Sequence, residues 1–369
     1  MGDFLKGADV STLHQLESLG ARWRDRGVEK DLLEILAGYG MNAIRLRLWN
    51  DPRSGSGESY GGGGNDLATT VALARRVRAR GMELLLDLHY SDFWADPAKQ
   101  HLPKAWRGRS GAWLERAVHD FTVEALVGLR EAGGLPSMVQ VGNEITNGLL
   151  WPAGRAPEAF PAMTRLVNAG IRAVRSVSPA IQVMLHLDQG GNNALYREWF
   201  DRWFREGGED FDLMGLSYYP FWHGTLEALE LNLDDMARRH GKDLVVVETS
   251  TGFTTEDYGG REGLGPSERK GMATKPELVA RVQHPLTIQG QCDFLRDLIP
   301  TIRHVPGGRG RGFFWWEPAW LPLKGSTSAT AAGRSYVGEQ GPGGNEWANQ
   351  ALFDYDGNAL PALQILRDS

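Results

Sequence analysis

The chain has 369 residues, of which 41% are hydrophobic and 23% charged, an ordinary globular composition whose length fits one α/β barrel as well as two or three smaller domains. Its formal charge of −6, from 40 basic and 46 acidic residues, with no basic stripe among the aromatics, excludes nucleic acid as a partner. No apolar run reaches the ~18–20 residues of a membrane span, the opening MGDFLKGADV lacks the charged and apolar regions of a signal peptide, and Cys292, the sole cysteine, forbids an intrachain disulfide.

Short apolar strands alternate with helical patterns along the chain. The first strand reads at 4–10 (FLKGADV), followed by a helix within 29–40 that carries Leu32, Leu33, Ile35 and Leu36 and stops at Gly38 and Gly40. Strand 42–49 (NAIRLRLW) leads through the glycine run 61–64, read as a flexible loop. It reaches a helix over 65–81, with Asn65 or Asp66 as cap, Leu67, Val71, Ala74 and Val77 as apolar face, and Gly81 as terminator. Strand 83–90 (ELLLDLHY) precedes a helix at 114–134, and strand 138–144 (MVQVGNE) one at 163–179. Strands 182–188, 213–219, 244–250 and 312–318 precede helices at 196–208, 226–241, 291–302 and 359–368. Eight strand–helix units predict a (β/α)8 barrel, an α/β fold in a single domain over 1–369. The alternative, an open doubly wound sheet, lacks support because no strand runs into a G-x-G-x-x-G turn. The connections 251–285 and 319–347 are polar, Gly-rich and long, and read as a functional rim.

In such a barrel the C-terminal strand ends converge. They carry Asp9, Arg45 and Arg47, Asp87 and His89, Asn143 and Glu144, His186 and Asp188, Tyr218 and Tyr219, Glu248, and Trp316 and Glu317. Glu144 follows an apolar run and Glu248 ends VVVETS three strands later, nearly opposite. Two carboxylates facing each other across a site are what glycoside hydrolysis requires. On this reading Glu144 stays protonated, helped by partial desolvation near tryptophan and by the charge of Glu248, while Arg45 and Tyr218 favour ionised Glu248. Asn143 would bind a sugar hydroxyl, and Asp9 and His89 complete the substrate-facing set. For His89 or His186 taken alone, a rim histidine in a structural hydrogen bond is the stronger reading. Asp87 with His89 lacks the further ligands a zinc site needs. Thirteen tryptophans, many beside polar or Gly/Pro residues, supply flat apolar platforms that suit sugar rings.

The segments GADVSTLHQLE, NAIRLRLWNDP, SDFWADPAKQ, GNEITNGLLWP, LSYYPFW, VVVETS, FFWWEPAW and NQALFDYDGNALPAL resemble, in order and over nearly the whole chain, glycoside hydrolase family 53, the endo-β-1,4-galactanases. The resemblance implies endo-hydrolysis of β-1,4-galactan, the side chain of type I arabinogalactan in pectin, with retention of configuration. It implies Glu144 as acid/base, Glu248 as nucleophile, Trp94, Trp320 and Trp347 as sugar-stacking residues and Trp316 under the reactive sugar. It also implies a polysaccharide partner, an extracellular location, a monomer and no organic cofactor. Bacterial members carry a calcium loop after strand seven. Here that place reads TEDYGGREGLGP, with Asp257 the one surviving hard-oxygen ligand, so the calcium site is expected to be lost, with Arg261 or Arg269 supplying salt bridges instead. A clan-related mannanase or xylanase and a non-catalytic sugar-binding barrel are the competing readings.

Overall fold

The computed structural model describes residues 3–263, 265–268 and 270–369. Eight parallel strands close into a barrel: β1 Leu5–Asp9, β2 Ala43–Leu48, β3 Glu83–Leu88, β4 Met138–Val141, β5 Gln182–Leu187, β6 Leu213–Tyr218, β7 Asp243–Thr249 and β8 Gly310–Trp316. β1 pairs with both β2 and β8, which completes the ring. The outer helices are α1 Leu32–Gly38, α2 Leu67–Ala79, α3 Ala112–Glu131, α4 Phe160–Val177, α5 Asn193–Arg205, α6 Leu226–His240, α7 Ile288–Arg303 and α8 Ala362–Asp368. The (β/α)8 expectation holds, with strand ends within three residues of those read from sequence. Asp66, not Asn65, caps α2, its carboxylate accepting from Thr69 N–H at 2.8 Å. Three short pieces have no periodicity to betray them: the helix Leu13–Ser18, the hairpin Trp23–Asp25 with Val28–Lys30, and the ladder of Gly148–Leu149 with Gly154–Arg155.

Strand alternation sorts side chains into two cores. Ile44, Leu46 and Leu48 of β2, and Leu84, Leu86 and Leu88 of β3, point outward to the helices. Ala43, Leu85, Met138, Met184, Leu213, Val245, Val247 and Phe314 fill the barrel interior. Above that plug the inward positions turn polar: Arg45, Arg47, Asp87, Gln140, His186 and Ser217 are all buried. The apolar layer is tight because two positions lack a side chain. A Cβ on Gly7 would lie 2.3 Å from Phe314 Cδ1, and one on Gly215 would lie 2.8 Å from Met184 Sδ.

β7 carries an extra residue. Gly215 and Ser217 of β6 pair with Val245 and Glu248, two steps against three, and the same excess appears toward β8, where Val246 and Thr249 face Phe313 and Trp315. This bulge breaks the alternation that points Val245 and Val247 inward and turns Glu248 into the cup as well. The glycine run 61–64 is not the flexible loop its composition implies. Gly61, Gly62 and Gly63 are buried with positive φ, and a Cβ on Gly63 would stand 2.4 Å from the Ser11 carbonyl.

Gly7→Ala should lower unfolding free energy by about 1–3 kcal/mol through overpacking. Phe314→Leu in the same chain should recover part of that loss in denaturant titration, because the three atoms nearest the added Cβ all belong to the Phe314 ring.

Candidate active site

The polar layer is organised around Arg45. Its Nη1 lies 3.0 Å from Asp9 Oδ2 and 2.7 Å from Glu248 Oε1. Its Nη2 lies 2.8 Å from both Asp87 Oδ2 and Asn143 Oδ1. Arg47 extends the network from Asp9 Oδ1, at 3.1 Å, to Glu317 Oε1, at 2.7 Å. Buried charges survive only when paired and hydrogen-bonded, and each guanidinium here spans at least two carboxylates. Burial works against the charge on Asp87, but Arg45 and His89 hold its carboxyl down at about 2. Glu317 has the opposite balance: burial outweighs Arg47 and pushes it up to about 7.

Glu248 is held by two groups, Arg45 and the hydroxyl of Tyr219, which donates to its Oε2 at 3.0 Å. Glu144 stands at φ 46, ψ 53, left-handed backbone that L residues rarely adopt, immediately before a short 3₁₀ turn over Ile145–Asn147. Its Oε1 contacts Ser217 Oγ at 2.6 Å, and among the described residues no ion pair involves it. The turn is locked by Thr146, whose hydroxyl donates to Asp188 Oδ1 at 2.5 Å. Desolvation, then the nearby charges of Glu248 and Asp188, push the Glu144 carboxyl well above the usual range. Burial raises Glu248 as well, and Arg45 offsets only part of that rise. A proton shared between the two carboxyls therefore resides on Glu144.

These groups open into a cleft of about 300 Å³ whose floor includes Asn143, Glu144, Glu248, His89 and Arg47. Its walls are aromatic. Trp94 and Trp316 lie at 6.0 Å with the Arg47 guanidinium 4.5 Å from the Trp94 ring, and Trp347 meets Trp316 edge-on at 4.8 Å. Trp222, 43% exposed, stands 5.9 Å from Trp347. The long connections after β7 and β8 do form the rim, contributing Lys270, Ser328, Glu339, Glu346 and Trp347, and Lys99 ties the loop after β3 to Glu339 at 2.6 Å.

The sequence-predicted residues divide accordingly. His89, Trp94, Asn143, Trp316 and Trp347 line the cleft beside the two glutamates. Asp9 and Arg45 lie beneath the floor, fully buried, and bear on the cleft through Glu248 and Asn143. Tyr218 is a correction: as an outward residue of β6 it stacks on Phe294 and donates to the Gly224 carbonyl, so its expected place beside Glu248 belongs to Tyr219. Trp320 is a second correction: fully buried behind Trp316, with Nε1 donating to Ser326, it has no face for a sugar. His89 serves structure too, joined to Asp87 at 2.9 Å and accepting from Trp49 Nε1 at 3.1 Å. His223, Lys99 and Glu346 stand outside the predicted set, since loop position carries no periodic signal, whereas Trp222 is one of the loop tryptophans read as sugar platforms. The repeated aromatics of SYYPFWH were the one available hint.

Among the described residues no group of three or more His, Cys, Asp or Glu is arranged to hold a metal ion. After β7, Asp257 Oδ1 accepts from Gly259 N–H at 3.0 Å, and Arg261 pairs with Asp356. Arg269 lies outside the described residues. The chemistry available is thus one protonated and one cation-held carboxyl in an aromatic cleft, the equipment for cleaving a glycosidic bond.

Comparison with known proteins agrees with this geometry. The family model described as Glycosyl hydrolase family 53 matches residues 5–366. A protein of Niallia circulans is 43% identical over 372 residues, covering 99% of this chain and 93% of its own length. The endo-beta-1,4-galactanase of Bacillus subtilis (strain 168) is 37% identical over 384 residues, with 99% and 86% coverage. The solved Ignisphaera aggregans GH53 catalytic domain superposes with a TM-score of 0.89 at 38% identity, covering 99% of this chain and 96% of that one.

Tyr219→Phe should lower hydrolytic kcat/KM on the order of 10²-fold, the usual cost of one preorganised donor. Tyr218→Phe should leave kcat/KM unchanged and cost about 1 kcal/mol of stability for its lost buried hydrogen bond. Steady-state kinetics and denaturant unfolding on the pair read both effects.

Proposed function

The chain belongs to glycosyl hydrolase family 53, and we propose that it is an endo-β-1,4-galactanase cutting the galactan side chains of pectin by double displacement. The observation that carries the mechanism is the unequal treatment of two facing carboxyls: Glu248 has Arg45 at 2.7 Å, whereas Glu144 is partnered by a neutral hydroxyl. Glu248, charged, attacks the anomeric carbon. Glu144 gives its proton to the departing glycosidic oxygen, and a galactosyl ester forms on Glu248. Glu144, now ionised, takes a proton from water, which displaces Glu248 and leaves the anomeric configuration as it began. Asn143, oriented by Arg45, offers its amide to a hydroxyl of the reacting sugar. Trp316, Trp94 and Trp347 give apolar faces for the sugar rings.

The polymer is a component of plant cell walls, which supports action outside the cell. The described residues contain no helix long and apolar enough to cross a membrane. In the loop after β7 the Arg261 guanidinium sits against Asp356. After Asp257 the sequence offers Tyr258, Gly259 and Arg261, none of them a carboxylate, which supports catalysis independent of calcium there.

Reducing-sugar release should be seen on galactan and not on mannan or xylan, with retained configuration in the first product observed by proton NMR. Glu248→Ala should abolish it. Glu144→Ala should lose it on galactan yet cleave an aryl galactobioside with a good leaving group when azide is supplied, azide displacing Glu248 to give the β-glycosyl azide. Release from mannan or xylan instead would discard the substrate while keeping the carboxyl pair. Treatment with a chelator should leave both kcat and melting temperature unchanged; a fall in either that calcium restores would overturn the calcium-independent reading.

A further inference from the structure

Behind the Glu144 carboxyl a line of polar groups runs into the barrel. Ser217 Oγ lies 2.6 Å from Glu144 Oε1 and 2.8 Å from His186 Nε2. On the other side of the imidazole, His186 Nδ1 lies 3.0 Å from Asn143 Oδ1. Counting protons along this line decides its direction. The Asn143 amide cannot be turned over, because its Nδ2 donates to the Ala95 carbonyl at 2.9 Å and its Oδ1 receives Arg45 Nη2 at 2.8 Å. An oxygen acceptor therefore faces Nδ1, and Nδ1 must carry the imidazole proton. The Glu144 backbone N–H stands 3.4 Å from the same nitrogen, at the outer limit of a hydrogen bond, and does not compete. Burial, reinforced by the Arg45 charge, holds His186 well below the usual imidazole range, so the ring is neutral and its Nε2 is bare. Ser217 has one proton and stands between two acceptors when Glu144 is ionised. It stands between a donor and an acceptor when Glu144 is protonated.

We propose that Ser217 and His186 form a relay that holds the acid form of Glu144, with Glu144 Oε1–H donating to Ser217 Oγ and the Ser217 proton passing to the bare His186 Nε2. The proposal rests on the reading of Glu144 as the acid/base. Every group in the line is satisfied in that state. When Glu144 surrenders its proton to the leaving oxygen, Ser217 turns to donate to the new carboxylate, and His186 Nε2 is left buried without a donor. The ionised intermediate is one hydrogen bond short and regains it only by taking a proton from the attacking water. Ser217 and His186 are positioning residues: they act on the reaction through Glu144.

A serine that simply donated to Glu144 would depress its pKa, whereas the relay raises it, so the sign of one shift separates the two. Other groups also bear on Glu144: Glu248 from β7, Asp188 at the end of β5, and Asp96 from the loop after β3. Tyr219, past the end of β6, shares the field of both glutamates. Asp87, His89 and His223 join Arg45 around His186. None of these is altered by removing the Ser217 hydroxyl, which leaves only a methyl-sized change in a buried strand.

The test is the pH profile of kcat/KM for the full chain, wild type against Ser217→Ala and Ser217→Thr. The alkaline limb should move down by about one pH unit in Ser217→Ala, the worth of one net hydrogen bond, and return in Ser217→Thr. An alkaline limb that stays in place or moves up overturns the relay. Nitrogen-15 NMR of the wild-type imidazoles gives a second reading that needs no variant to fold: a protonated Nδ1 and bare Nε2 are expected at His186, and a proton on Nε2 overturns the proposal. Failure of the acid/base reading itself looks different: azide would not rescue Glu144→Ala, and the alkaline limb would persist in that variant.

Discussion

The buried guanidinium of Arg45 is the interaction on which the rest of the site depends. It reaches carboxylates from three other strands, Asp9, Asp87 and Glu248, and orients Asn143 as well. Desolvating such a cation costs several kcal/mol in isolation, and only multiple charged acceptors with good geometry offset that cost. The arrangement is therefore mutual: the carboxylates are tolerable because Arg45 is there, and Arg45 is tolerable because of them. The consequence reaches the cleft. Asp9, Asp87, Glu248, Glu144 and Glu317 share two guanidinium groups, Arg45 and Arg47, so not all five carboxyls can be ionised at low cost. Two carboxyls are pushed up for different reasons: Glu144 has no cation partner among the described residues, and at Glu317 burial outweighs Arg47. The proposed acid/base role of Glu144 thus rests on a charge balance spread over the whole polar layer.

Backbone strain follows the same map. Tyr90, Glu144, Gln189 and Glu317 all have left-handed φ values, 52°, 46°, 54° and 48°, and each lies within three residues of a barrel strand's C-terminal end. Strands that run straight out of the barrel would carry these side chains past the cup. A single left-handed residue turns the chain across the rim instead, at a cost of order 1–3 kcal/mol each. The cost is met locally: Thr146 and Asp188 lock the turn after Glu144, and Arg47 with Thr12 anchors Glu317.

Much of this was legible in the sequence because barrel strands and helices obey two simple periods. The eight strands, the outer helices, Glu144 and the arginines and aspartates of the polar layer follow from alternation and from the convergence of strand ends, and Glu248 from that convergence alone. The exceptions have physical causes. Tyr218 and Tyr219 are adjacent, and only the true register shows that 218 faces the helices and 219 the cup. Glu248 reaches the cup through an extra residue in β7, which no periodicity announces. Trp320 sits in a loop where aromatic composition cannot tell a sugar platform from a buttress behind Trp316. Lys99, Trp222 and Glu346 enter the cleft from loops whose paths are set by packing against other loops.

The pairing of β1 with β8 has a temporal meaning. Asp9 lies among the first residues of the chain, whereas Trp316, Glu317 and Trp347 come near its end, yet Asp9 pairs in register with both Arg45 and Trp316. The sheet keeps two open edges until its last strand arrives, and Glu248 on β7 is brought across to Arg45 only when the ring closes. A chain still emerging from the ribosome holds Glu144 long before it holds Glu248. A nascent or prematurely ended polypeptide therefore carries half of a reactive pair and an open, sticky sheet. Glu144 and Glu248 stand across one cup only in the closed ring.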